Sequence, residues 1–182
     1  MDARARWIAT TLVGGPLVVA SYVYGALVPP PEGTSGLWGG VPDAWKPAYT
    51  LNMLLAAAGF FAFAQHLLRA DPARARARIA GRELGFGALA PLFGAIVFPS
   101  ALWLPLTYAM LATPSRALWL AILACLATVG VAALGVLAFV ARMEPHPGRA
   151  SRALAIAGAV PFALQTAVLD AIVWPLVFPL DG

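Results

Sequence analysis

Five long apolar stretches, about Trp7–Leu27, Tyr49–Leu68, Phe86–Leu111, Ala117–Val140 and Ala153–Phe178, occupy most of this 182-residue chain. A helix needs roughly 20 apolar residues to cross the hydrocarbon core of a bilayer, where its backbone polar groups must be satisfied within the segment itself. Each stretch meets that length. The expected architecture is therefore all-α: a polytopic integral membrane protein of five transmembrane helices, forming one domain over residues 1–182. Hydrophobic residues make up 61% of the chain and charged residues 11%. A soluble domain could not hide that much apolar surface, whereas a chain surrounded by lipid has no need to. With the longest connector confined to 28–46, no room remains for a separate soluble domain.

The net charge of +4 points to the membrane surface rather than to nucleic acid, because the basic residues cluster at span ends. Arg4 and Arg6 precede the first span; Arg69, Arg74, Arg76, Arg78 and Arg82 follow the second; Arg142, Arg149 and Arg152 lie between the fourth and fifth. These ten contrast with two on the alternate connectors, Lys46 and Arg116. Lys and Arg are retained in the cytoplasm during insertion, so the expected topology is N-terminus inside and C-terminus, with Asp181, outside. The expected location is a bacterial inner membrane. The segment Asp2 to Arg6 ahead of an apolar run has the outline of a secretory signal. That run is longer than a signal's core, so it is read as an uncleaved first helix.

Local signals place the boundaries. Thr113 followed by Pro114 suits the start of span four, and Ser151 suits a cap for span five after Pro145, Pro147 and Gly148. Arg74, Arg76 and Arg78, with alanines between, read as a charged loop or short interfacial helix. The first connector holds Pro29-Pro30-Pro31, Gly33, Gly36, Gly39 and Gly40 together with Trp38 and Trp45, which predicts a folded cap rather than a loose tether. Span two carries Asn52, Ala56, Gly59, Phe63 and His66 at alternating four- and three-residue steps, a stripe for close helix packing. Span four, with Ala124, Thr128, Ala132 and Gly135, reads as a packing or lipid-facing helix. Prolines in spans one, three and five predict bends.

Aromatic residues with a polar handle are uneven. Trp38, Trp45, Trp103, Trp119, Trp174 and all four tyrosines (Tyr22, Tyr24, Tyr49, Tyr108) fall toward the arginine-poor end; Trp7 is the exception. That bias predicts either an interfacial aromatic belt with a well-packed first connector or an aromatic pocket between those helix ends, roofed by that connector. Asp170 is the one acid well inside a span, and no Lys or Arg within an apolar stretch can pair with it. A charge at mid-bilayer costs about 2.5–3.5 kcal/mol on insertion scales, so Asp170 must face the bundle interior or water. Helical spacing sets Thr166, Asp170 and Trp174 on one stripe, with Gln165 beside it. Asp170 is thus expected to be either a proton-accepting or cation-binding group, with contributions from Tyr22, Tyr24, Asn52, Trp103, Tyr108, Thr166 and Trp174, or a structural acid hydrogen-bonded to Tyr, Asn or Trp on a neighbouring helix. The chain's expected role is binding or passage of a small, partly apolar ligand. The alternative is an accessory subunit packing against a larger membrane complex, or a homo-oligomer.

Catalytic templates are missing. There is no Ser/His/Asp set at one depth, no paired carboxylates within the membrane and no phosphate-binding glycine motif. His66 and His146 are the only histidines and fit no haem or metal motif, and the single Cys125 excludes an internal disulfide. No cofactor is indicated, and a membrane enzyme ranks third among the readings. Trp45-Lys46-Pro47 at the start of span two, the long first connector, the five spans and the many tryptophans resemble the tryptophan-rich sensory, or translocator, protein family. That resemblance covers about a tenth of the chain. It implies porphyrin or other apolar ligands bound beneath the first loop. The chain departs from the family pattern in having Ala48-Tyr49-Thr50 where another Trp and a Pro-Pro pair would follow.

Overall fold

The computed structural model describes residues 1–30 and 36–178. Pro31, Gly33 and Asp181, named above, lie outside the described residues. Five helices long and apolar enough to cross a membrane are present: Ala3–Leu27, Asp43–Arg69, Phe86–Ala112, Arg116–Arg142 and Arg149–Val177. Their regular portions are α1 (Ala3–Leu27), α2 (Lys46–Arg69), α3 (Leu89–Ala112), α4 (Arg116–Arg142) and α5 (Arg149–Ala163). α5 continues through a π-helical segment, Leu164–Val173, into a last turn, α6 (Trp174–Val177).

Capping chemistry moves several predicted boundaries. α1 starts before Trp7 because Asp2 accepts from the Ala5 amide at 2.7 Å. Ser115, not Thr113, caps α4 by accepting from Leu118 N at 3.2 Å, while Thr113 closes α3. Gly148, not Ser151, precedes α5. Ser151 instead lies one turn in, with its Oγ 2.8 Å from His66 Nδ1.

The helices pack in the order α1, α3, α4, α5, α2. α2 and α5 cross at Gly59 and Gly158, where a Cβ added to Gly158 would fall 2.7 Å from Gly59 Cα. Such proximity is what small residues provide when lipid supplies no hydrophobic drive between helices. The predicted stripe on α2 is largely the buried one, with Ala56, Gly59, Phe63 and His66 all inward. α4 is a packing helix, but its inward face is Ile122, Leu126, Val129, Ala132, Ala133, Val136 and Phe139, with Ala124 and Thr128 turned out. α1 is the peripheral helix: only Trp7, Gly14 and Ser21 are buried along it.

The chain is mostly helical, and at one end of the bundle a small sheet replaces the charged loop or short interfacial helix expected around Arg74–Arg78. Residues Arg76–Ile79 (β1) and Arg82–Gly85 (β2) form an antiparallel hairpin, and Met143–Glu144 (β3) pairs with β1 on its other side. The Arg-Ala alternation is a strand period rather than a helical one. Arg76 and Arg78 stand in the open while Ala75 and Ala77 are buried. The two-residue turn Ala80-Gly81 has φ of 48° and 79°, the positive values a tight hairpin turn requires. Arg4 also donates to the Ala70 carbonyl. The N-terminus, the α2–α3 connector and the α4–α5 connector therefore gather at one end, and with them the ten clustered basic residues. Phenylalanines fill the half nearest that end: Phe63, Phe86, Phe93 and Phe139 are fully buried around Trp7.

Candidate functional site

The opposite end holds the rings. Trp103, Trp119, Trp174 and Phe178 pack on one another with centroid separations of 4.6–6.0 Å. The Trp174 indole donates to Leu37 O at 2.8 Å, tying the end of span five to the first connector. That connector is folded where described, with short turns at Gly36–Trp38 and Asp43–Trp45 and a Trp38–Tyr49 ring contact at 6.0 Å. The rings fill the space between the ends of α3, α4 and span five. Trp103 Nε1 is buried there with no acceptor among the described residues.

The polar groups converge on the π-helical segment beside this cluster. Pro161 has no N–H, so the regular ladder is already interrupted where the segment begins. In a π-helix each N–H reaches the carbonyl five residues back, as Trp174 N does to Leu169 O. The next bond in that register would run from residue 175 to the Asp170 carbonyl. Pro175 has no hydrogen to give, so the register ends there. Across one such turn Gln165 Nε2 donates to Asp170 Oδ1 at 2.8 Å.

α2 reads this altered backbone. Asn52 Nδ2 donates to Pro161 O at 3.1 Å and to Gln165 Oε1 at 3.0 Å, and the Tyr49 hydroxyl donates to Leu169 O. Tyr49 and Asn52, three residues apart, share a helix face, so one side of α2 serves both ends of the segment. The result is a continuous polar chain, Pro161 carbonyl to Asn52 to Gln165 to Asp170, inside an otherwise apolar span.

The other expected site residues are placed differently. The Thr166 hydroxyl turns back onto Phe162 O at 2.9 Å, so the polar groups of Thr166, Asp170 and Trp174 diverge. Tyr108 donates to the carbonyls of Gly25 (3.1 Å) and Val28 (2.7 Å), closing the C-terminus of α1, with Tyr24 packed edge-on against it at 5.5 Å. Tyr22 keeps about half its surface open. Gln165 and Tyr49 emerge as principal members of the constellation. Sequence reasoning named Gln165 only as a neighbour and Tyr49 only as one ring among many. The spacing of Tyr49 and Asn52 near the start of span two was the available signal.

Two lateral grooves open at this end. One, of about 450 Å³, runs between α2 and the π-helical segment past Trp45, Tyr49, Asn52, Leu55, Leu164 and Leu169. The second, of about 430 Å³, lies between α1 and α3 along Leu17, Ser21, Tyr24, Phe98 and Pro105. Both are wide open at the surface rather than enclosed. Among the described residues no three His, Cys, Asp or Glu side chains converge as metal ligands. His66 is fully buried at the arginine-rich end, away from Asp170. Comparison with family models, curated proteins and solved structures finds no match to this chain.

Proposed function

We propose that this is a five-span membrane protein, with its arginine-rich end in the cytoplasm of a bacterial cell, that binds or passes a small, partly apolar ligand at its aromatic end. The observation that carries this reading is the Asn52–Gln165–Asp170 chain mounted on a ten-residue π-helical segment. Long π-helical runs are rare, and short ones concentrate at functional sites. An ionisable group inside a span is costly and is retained where it has work to do. The adjacent groove gives an apolar molecule a lateral route to Tyr49 and Asn52, the inner wall of the constellation. The decisive experiment is purification from native membranes with mass analysis of proteins and small molecules together. A stoichiometric small molecule, lost in Gln165→Leu while the bundle stays monodisperse, is the expected result.

A second reading, an accessory subunit or homo-oligomer, is favoured by α1. Leu12, Val13, Leu17, Val19, Val23 and Leu27 are exposed around a helix that rests chiefly on α3. In that case the same purification yields a stoichiometric protein partner and no small molecule.

A further inference from the structure

We infer that the ligand is an uncharged long-chain alcohol, lying in the groove between α2 and the π-helical segment with its hydroxyl donating to Asn52 Oδ1. This rests on the ligand site proposed above and names the chemistry of its occupant.

The Pro161 carbonyl accepts and has no hydrogen to give, so the Asn52 atom facing it at 3.1 Å is the amide nitrogen, Nδ2. That nitrogen gives its second hydrogen to Gln165 Oε1 at 3.0 Å. What remains of the amide is Oδ1, which can only accept. Among the described residues it meets no donor, and it is not sealed inside the bundle. Asn52 forms part of the groove wall. The Tyr49 hydroxyl on the same wall has given its hydrogen to Leu169 O, so it too offers only lone pairs. Trp45 brings an indole N–H, but it stands seven residues before Asn52, about 10 Å away along the axis. The rest of the wall is alanine, leucine and valine.

Each of these features removes a class of occupant. No Asp, Glu, Lys, Arg or His is among the described residues that line the groove, so a charged head would lose its water there with nothing to pair it. A carboxylate or phosphate would also set its oxygens against those of Asn52 and Tyr49. An ether or a hydrocarbon has no hydrogen for Oδ1 and leaves that acceptor unpaired in an apolar wall. A hydroxyl supplies the hydrogen without a charge. The depth of the groove selects the rest of the molecule. Asn52 lies six residues beyond Lys46, about 9 Å along the helix, with Leu55 and Leu164 deeper in the span. Leu51 and Leu55 are exposed on the open side. A hydroxyl at Asn52 therefore sits toward the aromatic end, while an apolar chain runs past Leu55 with its free side in the bilayer.

The test uses hexadecanol carrying a diazirine on its chain, photolysed with the full-length protein in phosphatidylcholine nanodiscs and mapped by mass analysis of peptides. Saturable labelling of α2 and the π-helical segment is expected, displaced by excess hexadecanol. Hexadecyl methyl ether, which lacks only the donor, is expected to compete about threefold to tenfold less well. Palmitate and hexadecyltrimethylammonium are expected to compete no better than the ether. Leu55→Trp fills the groove without touching the Asn52 bonds and is expected to abolish the labelling. Asn52→Leu is expected to make alcohol and ether equal competitors. Should that variant fail to yield monodisperse protein, the comparison of alcohol with ether on the unaltered chain still decides. Equal competition by the alcohol and the ether on the unaltered chain, a preference that survives Asn52→Leu, or a charged competitor as strong as the alcohol overturns the assignment and leaves an apolar ligand site standing. If the groove is not labelled, or Leu55→Trp leaves the labelling unchanged, the ligand site itself falls.

Discussion

Tyr49 is the residue on which the site's geometry turns. Its hydroxyl holds Leu169 O, the carbonyl that also accepts from Trp174 N, so one side chain braces the last bond of the π register. A hydrogen bond of this kind contributes about 0.5–1.5 kcal/mol net. Tyr49→Phe keeps the ring against Trp38 and removes only that donor. A modest drop in melting temperature in detergent is expected, together with faster amide exchange confined to the π-helical segment. Uniformly faster exchange over all five helices would show that Tyr49 braces the whole bundle instead. Asp170 was legible from the sequence because an acid inside an apolar run stands out on composition alone. Its partners were not, because a hydrogen-bond register leaves no mark on hydropathy. Thr166 and Trp174 flank Asp170 at regular helical steps, yet the segment abandons the regular ladder, and Gln165 takes the contact instead.

Among the elements, α2 and α5 approach backbone to backbone at Gly59 and Gly158, which leaves that crossing little tolerance of change. Gly158→Val puts three carbons where Gly59 Cα and O already lie within 2.7 Å of a Cβ. Overpacking of this sort costs about 1–3 kcal/mol, and more where backbone rather than a side chain must yield. The expected outcome is loss of monodisperse protein on size exclusion, whereas Gly15→Ala, with open space around its Cβ, leaves elution unchanged. The stripe behind this crossing was legible, since small residues at helical steps point to a close helix neighbour. The hairpin was only half legible. Arginines at every second position carry the strand period, but alanine is too small an inward residue to separate a strand from a loop or helix by pattern. Its packing on the end of α4 decides the matter.

At the scale of the whole molecule, the described fold gathers ten basic residues at one end and most of the polar-handled rings at the other. A C-terminal reporter active only in the cytoplasm is expected to be silent, and one active only outside to report, in line with retention of arginine on the inner side. The opposite pattern would place the rings and the grooves in the cytoplasm. The number of long apolar helices was readable because run length is a direct measure of what a bilayer demands. The order in which the helices pack was not, because core-facing and lipid-facing positions are equally apolar in such a chain. That order has a bearing on biosynthesis. Span two leaves the ribosome before span five, its main neighbour, is made. Until then the Asn52 amide has neither Pro161 nor Gln165 to bond, so on the proposed membrane reading it stays unsatisfied in lipid until span five arrives.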